Sequence, residues 1–156
     1  MIEICELLEG EEQETCEFIV RVFYRDIAPT YSKDGIDRFL GMLSPDGLRE
    51  MSRGDGSFVI LAGERHGILG MLSVIRENHI ALLFVDPEYQ NKGIGKKLID
   101  EAIRMCVHSN PEISAMTVSS TPNAKSFYVA VGFHATDGEV DEDGMLYTLM
   151  WKPCVD

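Results

Sequence analysis

Leu82-Leu83-Phe84-Val85-Asp86-Pro87-Glu88-Tyr89-Gln90-Asn91-Lys92-Gly93-Ile94-Gly95-Lys96-Lys97-Leu98 is the stretch whose reading decides the fold. An apolar run long enough for a buried strand ends at Asp86-Pro87. After a short loop, two glycines open a segment whose apolar residues recur at helical spacing, so the stretch reads as strand, glycine turn, helix. The first N–H groups of a helix lack intrahelical partners and sit at the positive end of its dipole, which suits such a turn to anions. Gly93 and Gly95 remove side chains that would hold a phosphate off. A Walker loop needs Gly at the place of Gln90 and Ser or Thr at the place of Lys97. A dinucleotide fingerprint needs a third Gly where Leu98 stands. Both spacings fail, and Gln-x-x-Gly-x-Gly remains.

Outward from this turn, the 156 residues fit one domain, 1–156, with 45% hydrophobic and 26% charged residues, a globular rather than disordered composition. The first residues are acidic where a secretory signal would be basic, and no apolar run reaches membrane-spanning length. A cytoplasmic protein without a membrane partner is expected. Cys5, Cys16, Cys106 and Cys154 are scattered without a C-x-x-C pair or nearby zinc-spaced His, so no metal is implied and reduced packing thiols are expected. A net charge of −12 argues against nucleic acid, which draws on clustered Lys and Arg, and either favours a cationic small molecule or serves only solubility.

Along the chain, alternation at 2–7 suggests a first strand. Cys16, Ile19, Val20, Phe23 and Ile27 then share one helical face, stopped by Ala28-Pro29. Ile36, Phe39, Leu40 and Leu43 mark a second helix, and Ser44-Pro45 supplies cap and first position for a third. Residues 58–62 and 68–75 read as strands joined by a hairpin turn at Glu64-Arg65-His66-Gly67, and a third strand runs from His79 to Val85. The helix after Gly93 buries Ile94, Leu98, Ala102 and Cys106. Residues 115–119 form the next strand, parallel to 79–85 because a helical crossover separates them. Thr121-Pro122 is expected to cap a helix over 123–131 closed by Gly132, before a final hairpin whose arms start at Phe133 and Met145. Its acidic loop, 137–144, suggests calcium but lacks the glutamate six residues after Gly144 that an EF-hand loop requires, so a hydrated turn is expected.

Helices between a first strand and a three-stranded meander, then Gln-x-x-Gly-x-Gly opening a helix, then a strand, then Asn123, Tyr128 and Gly132-Phe133 in N-A-K-S-F-Y-V-A-V-G-F: this order resembles the GNAT superfamily of N-acetyltransferases. The resemblance covers the chain and is closest from about 74 to 133. It implies an α/β fold with a mixed, partly splayed sheet flanked by helices on both faces. It also implies transfer of acetyl from acetyl-CoA to a primary amine, on a small molecule or a peptide, by direct attack in a ternary complex. Gln90, Asn91, Lys92, Gly93, Ile94, Gly95, Lys96 and Lys97 would form the pyrophosphate loop. Backbone groups of Leu83, Phe84 and Val85 would face the acetyl and pantetheine portion, with the Leu83 amide stabilising the oxyanion. Asn123 would hold the cofactor arm and Tyr128 would protonate the departing thiolate. Some members carry a glutamate base eleven residues before the motif glutamine; here that place holds His79, whose ordinary pKa also lets it accept a proton. Regular alternation would set His79, Ala81, Leu83 and Val85 on one side. Many members form homodimers. The rival readings are a catalytically silent acyl-CoA-binding or regulatory module of the same fold and, less well matched, a nucleotide-binding protein.

Overall fold

The computed structural model describes residues 1–65 and 67–155. Its sheet follows the order β1 (Glu3–Glu6), β2 (Phe58–Glu64), β3 (Gly67–Ile75), β4 (His79–Val85), β5 (Ala115–Ser120), β8 (Met145–Pro153), β6 (His134–Ala135), with β7 (Val140–Glu142) paired to β8 off this path. All neighbours are antiparallel except β4 and β5. The turn expected at 64–67 includes His66, which lies outside the described residues; Glu64 and Gly67 on either side of it pair.

Helices cover both faces, as the α/β reading requires. On one face α4 (Ile94–Ser109) lays Ile94, Leu98, Ile99, Ala102 and Cys106 against Ile60, Leu72, Val74, Ile80 and Met116, and α5 (Lys125–Ala130) adds Tyr128. Full burial of one such aliphatic side chain contributes about 1.5–3 kcal/mol. On the other face α1 (Glu12–Asp26), α2 (Lys33–Met42) and α3 (Pro45–Arg53) cover Val59, Leu61, Met71 and Phe84 with Phe18, Ile19, Phe23, Phe39 and Leu48. The buried stripe of α1 is wider than the one expected, for it takes in Phe18 and Val22, while Val20 stays half-exposed. Ser44 caps α3 by accepting from the Gly47 N–H at 2.9 Å, with Pro45 in the first turn.

Two irregularities matter for function. First, β4 and β5 pair only at His79↔Thr117 and Ile80↔Val118, so the sheet splays beyond Ile80. The closed end is pinned twice more: Asn78 Nδ2 donates to the Ala115 carbonyl at 2.9 Å, and the Thr117 N–H donates to the Asn78 carbonyl at 2.9 Å. Second, Val74 pairs with Ile80 and Ser73 with Leu82, which leaves Ala81 as an extra residue in β4. Such a bulge breaks the two-residue alternation. Ile80, Leu83 and Val85 therefore pack toward α4, and Leu82 and Phe84 toward α1. The regular alternation expected for His79, Ala81, Leu83 and Val85 is thus incorrect: His79, next to Ile80, falls on the α1 side with Leu82 and Phe84.

Two boundaries also differ. The 123–131 segment is a 3-10 turn, Pro122–Ala124, followed by the short α5, and Thr121 caps with its carbonyl rather than its hydroxyl. The acidic loop contains β7, whose three residues are all exposed, so no apolar alternation announced it. Asp143 and Gly144 make its turn at φ +54° and +85°. The Gly144 carbonyl accepts from the Ser32 N–H at 3.1 Å, and a Cβ on Gly35 would collide with Gly144, so the hairpin tip sits directly on the start of α2.

Candidate functional site

Beyond Ile80, β4 is paired on one edge only. The Asp86 N–H donates to the Leu69 carbonyl at 2.8 Å, so the even positions beside it serve β3. The Val85 carbonyl accepts instead from Gln90 Nε2 at 3.1 Å, so Val85 turns its polar groups toward the open edge. By the period of two, Leu83 does the same. Its amide faces the splay, where no β5 residue pairs with it.

The loop after β4 is stiffened by Asp86, which accepts from the Glu88 N–H at 2.9 Å and pairs with Arg21 at 3.2 Å. Asn91 stands at φ +65° and Gly93 at φ +85°, a left-handed conformation that glycine alone adopts without strain. The first backbone bond of the helix runs from the Lys97 N–H to the Gly93 carbonyl at 3.0 Å, which leaves the amides of Ile94, Gly95 and Lys96 free for an anion. Nothing lies within 4 Å of a Cβ built on Gly93, whereas one on Gly95 would stand 2.8 Å from the ring of Phe127. Gly95 thus leaves room for aromatic packing between α4 and α5, a role that stands beside the phosphate clearance expected of it.

A cavity of about 640 Å³ fills the splay. Leu83, Phe84, Val85, Gln90, Asn91, Gly93, Ile94, Gly95, Lys96, Asn123 and Tyr128 all line it. Lys92, Lys97 and His79 do not. Lys92 lies 5.0 Å from the centre of the Tyr89 ring. His79 stands at the closed end, half-buried, with Nδ1 2.7 Å from Thr117 Oγ1. Burial and then the neighbouring Arg76 charge hold its pKa below the usual histidine value. Tyr128 is buried, and its hydroxyl makes no side-chain hydrogen bond to the described residues; burial pushes its pKa well up, so the phenol stays protonated.

On the α1 side the cavity reaches Val22, Asp26, Ile27, Tyr31 and Phe39, none of which was singled out as a site residue. Phe39 stacks on Phe23 at 4.2 Å and meets Phe84 edge-on at 6.2 Å, so this wall is aromatic and fixed. Apolar spacing places Phe39 on a packed helix face but not in a cavity. Among the described residues Asp26 is the single carboxylate of the lining and Lys96 the single cation, and Lys96 is itself paired to Asp100 at 2.8 Å. The excess negative charge therefore lies elsewhere: Asp34, Asp37 and Asp143, together with Arg38, line a second hollow that begins at Ser32, next to Tyr31. No group of three or more His, Cys, Asp or Glu among the described residues is placed to hold a metal, and no described helix is long and apolar enough to cross a membrane.

Comparison with known proteins agrees with this geometry. Residues 27–154 match the family model of the acetyltransferase (GNAT) domain. The peptidyl-lysine N-acetyltransferase YjaB of Escherichia coli K12 is 30% identical over 92 residues, 58% of this chain and 59% of that protein. The chain therefore aligns with little more than half the length of this relative. The PaiA N-acetyltransferase of Thermoplasma acidophilum, solved in complex with coenzyme A, superimposes with a TM-score of 0.79 at 24% identity over 98% of this chain and 99% of that one. A GCN5-related N-acetyltransferase structure from Rhodopseudomonas palustris gives 0.80 at 21% identity, over 97% and 94%. A splayed mixed sheet, a glycine turn opening α4 and a family model spanning most of the sequence lead to one assignment: the chain belongs to the GNAT family of acetyltransferase domains.

Proposed function

We propose that the protein transfers acetyl from acetyl-CoA to a primary amine in a ternary complex formed in the β4–β5 splay. The observation that carries this reading is the open edge of β4, where Leu83 and Val85 have no strand partner and line a cavity whose far end is the free N-terminus of α4. The diphosphate takes the amides of residues 94–96, and the pantetheine arm pairs with β4 as a strand would. Acetyl oxygen then lies against the Leu83 N–H, a donor already oriented before charge develops.

The amine nitrogen attacks the thioester carbonyl carbon, the tetrahedral adduct expels sulfur, and the C–S bond breaks as C–N becomes an amide. Tyr128 gives its phenolic proton to the leaving thiolate and is reprotonated from solvent. Its burial without a side-chain partner among the described residues suits a donor rather than a base. The proton lost by the alkyl ammonium passes through water to His79, which lies outside the cavity lining but on the α1 side from which the acceptor comes. A lowered pKa leaves His79 neutral at pH 7. If its Nδ1–H donates to Thr117, Nε2 is free to accept.

The acceptor is an amine carried on an apolar stem. Val22, Ile27, Tyr31 and Phe39 offer a wall for such a stem, and the named activity of the Escherichia coli relative on peptidyl-lysine points the same way. Acetyl-CoA turnover, followed by thiol release over a panel of lysine peptides, simple alkylamines, polyamines and aminoglycosides, tests the proposal. Turnover with lysine peptides or alkylamines supports it. CoA binding without turnover on any amine would leave a silent acyl-CoA module instead.

A further inference from the structure

Gln90 and Asn123 stand on opposite lips of the splay, one in the loop after β4 and the other in the 3-10 turn after β5. Both donate to the same residue. Gln90 Nε2 reaches Asp26 Oδ2 at 2.8 Å, and Asn123 Nδ2 donates to the main-chain carbonyl of Asp26. Asp26 is the last residue of α1, so that carbonyl belongs to the set that a helix end leaves without an internal partner. A polar helix end has thereby been placed across the mouth of the cleft, on the side of the acceptor wall formed by Ile27 and Tyr31.

We propose that Asp26 is a positioning residue of the cofactor cleft: by holding Gln90 with its carboxylate and Asn123 with its backbone it sets the distance between the two lips. This rests on the reading of the splay as the acetyl-CoA site. The hydrogen-bond inventory favours positioning over obstruction. Gln90 spends both amide hydrogens, on Asp26 and on the Val85 carbonyl, and keeps its oxygen free. Asn123 keeps one N–H and its carbonyl, and both residues line the cavity, so the cofactor arm meets groups that are already fixed.

Two side-chain variants separate the roles of shape and charge. Asp26→Ala removes the acceptor for Gln90 but keeps the backbone bond to Asn123. Asp26→Asn keeps an acceptor oxygen and drops a negative charge near a polyanionic ligand. CoA titrated calorimetrically into the full chain should bind about tenfold more weakly to Asp26→Ala, and at least as tightly as wild type to Asp26→Asn. The double variant Asp26→Ala with Gln90→Ala should be no weaker than Gln90→Ala alone, since the bond between the two side chains is already gone in that single variant. In the ligand-free protein the Gln90 side-chain amide signal should shift in Asp26→Ala and return toward its original place in Asp26→Asn. Wild-type-like or tighter CoA binding by Asp26→Ala overturns the proposal, as does a loss that Asp26→Asn fails to rescue and that follows the melting temperature. Absence of CoA binding by the wild-type chain would instead bring down the assignment of the cofactor site, while the ligand-free amide signals still report on the bridge.

Discussion

One strand, β4, has two edges with opposite fates. Its β3 edge is laddered from Ile75↔His79 to Gly70↔Val85, interrupted only by the bulge, while its β5 edge is paired at two positions and then abandoned. An unpaired edge inside a sheet is normally a liability that invites another strand. Here the invitation is confined to a cavity and shaped for a ligand that can hydrogen-bond as a strand does. In the proposed reading the contrast teaches that the binding chemistry of the site is mostly main-chain, carried by residues such as Leu83 and Val85 whose side chains are ordinary packing groups.

The sharpest test of that contrast lies one residue apart on the same strand. Leu83→Pro removes an N–H that faces the cleft and should keep the fold while lowering kcat by about 10²–10³, the range for loss of one oxyanion donor. Phe84→Pro removes a group serving β3 together with a buried ring, and should cost at least about 3 kcal/mol in urea denaturation. Equal activity losses in two equally stable variants would erase the distinction between the edges.

Tyr128→Phe addresses the wall opposite β4. Its kcat should fall by about 10², with CoA affinity and melting temperature close to wild type because the hydroxyl has no side-chain partner to lose among the described residues. An unchanged kcat at saturating acceptor would remove Tyr128 from the mechanism.

The two glycines sharpen the comparison at the anion end. Gly95→Val drives a branched side chain into Phe127 and should destabilise the protein by about 1–3 kcal/mol; adding Phe127→Ala should restore part of that. Gly93→Ala meets no neighbour and should cost only its left-handed strain, about 1–2 kcal/mol. Thermal melts of the three variants decide between packing and phosphate clearance at Gly95.

The smallest effect is expected at the closed end. His79→Ala should lower kcat about tenfold, less than a base in direct contact, and abolish an ascending limb of the pH–rate profile. That limb should lie below the ordinary histidine value of about 6.5, since burial and Arg76 depress the folded pKa. The sign for stability follows from the same shift: the contribution of His79 is present above its unfolded pKa and is lost as pH falls through the depressed folded value. A wild-type profile in His79→Ala would assign the proton to water alone.

Much of this architecture is legible in the sequence because it is carried by local signals. Asp86-Pro87 ends a strand, Gly93 opens a helix, Ser44-Pro45 starts another, and Gly132 ends the segment that contains Tyr128. What escaped detection depends on contacts between distant residues or on a missing polarity contrast. The bulge is silent because residues 80–85 are all apolar and buried or half-buried, so a skipped beat leaves no polar residue on the wrong face. β7 is silent for the opposite reason, being exposed throughout. Asp26 reads as an ordinary polar helix end until its partners, 64 and 97 residues away, are seen beside it. Phe127 reads as a core neighbour of Tyr128, and only the approach of its ring to Gly95 reveals a packing reason for a glycine there.

The extra residue at Ala81 has a consequence for how the chain tolerates changes of length. Removing one residue from a regular strand turns every side chain on one side of the cut to the opposite face of the sheet. Deleting Ala81 would leave the two sides as they are, because Ile80 and Leu82 would become consecutive residues of a regular ladder, Ile80 still facing α4 and Leu82 still facing α1. The turn at Arg76, Glu77 and Asn78, with the first two at φ +50° and +73°, would not have to rearrange, since the pairs Val74↔Ile80 and Ser73↔Leu82 are kept. In a library of single-residue deletions along β4, Ala81 should therefore stand out as the tolerated position, while deletion of a paired neighbour such as Leu83 turns part of the strand over and is felt like the loss of a core side chain.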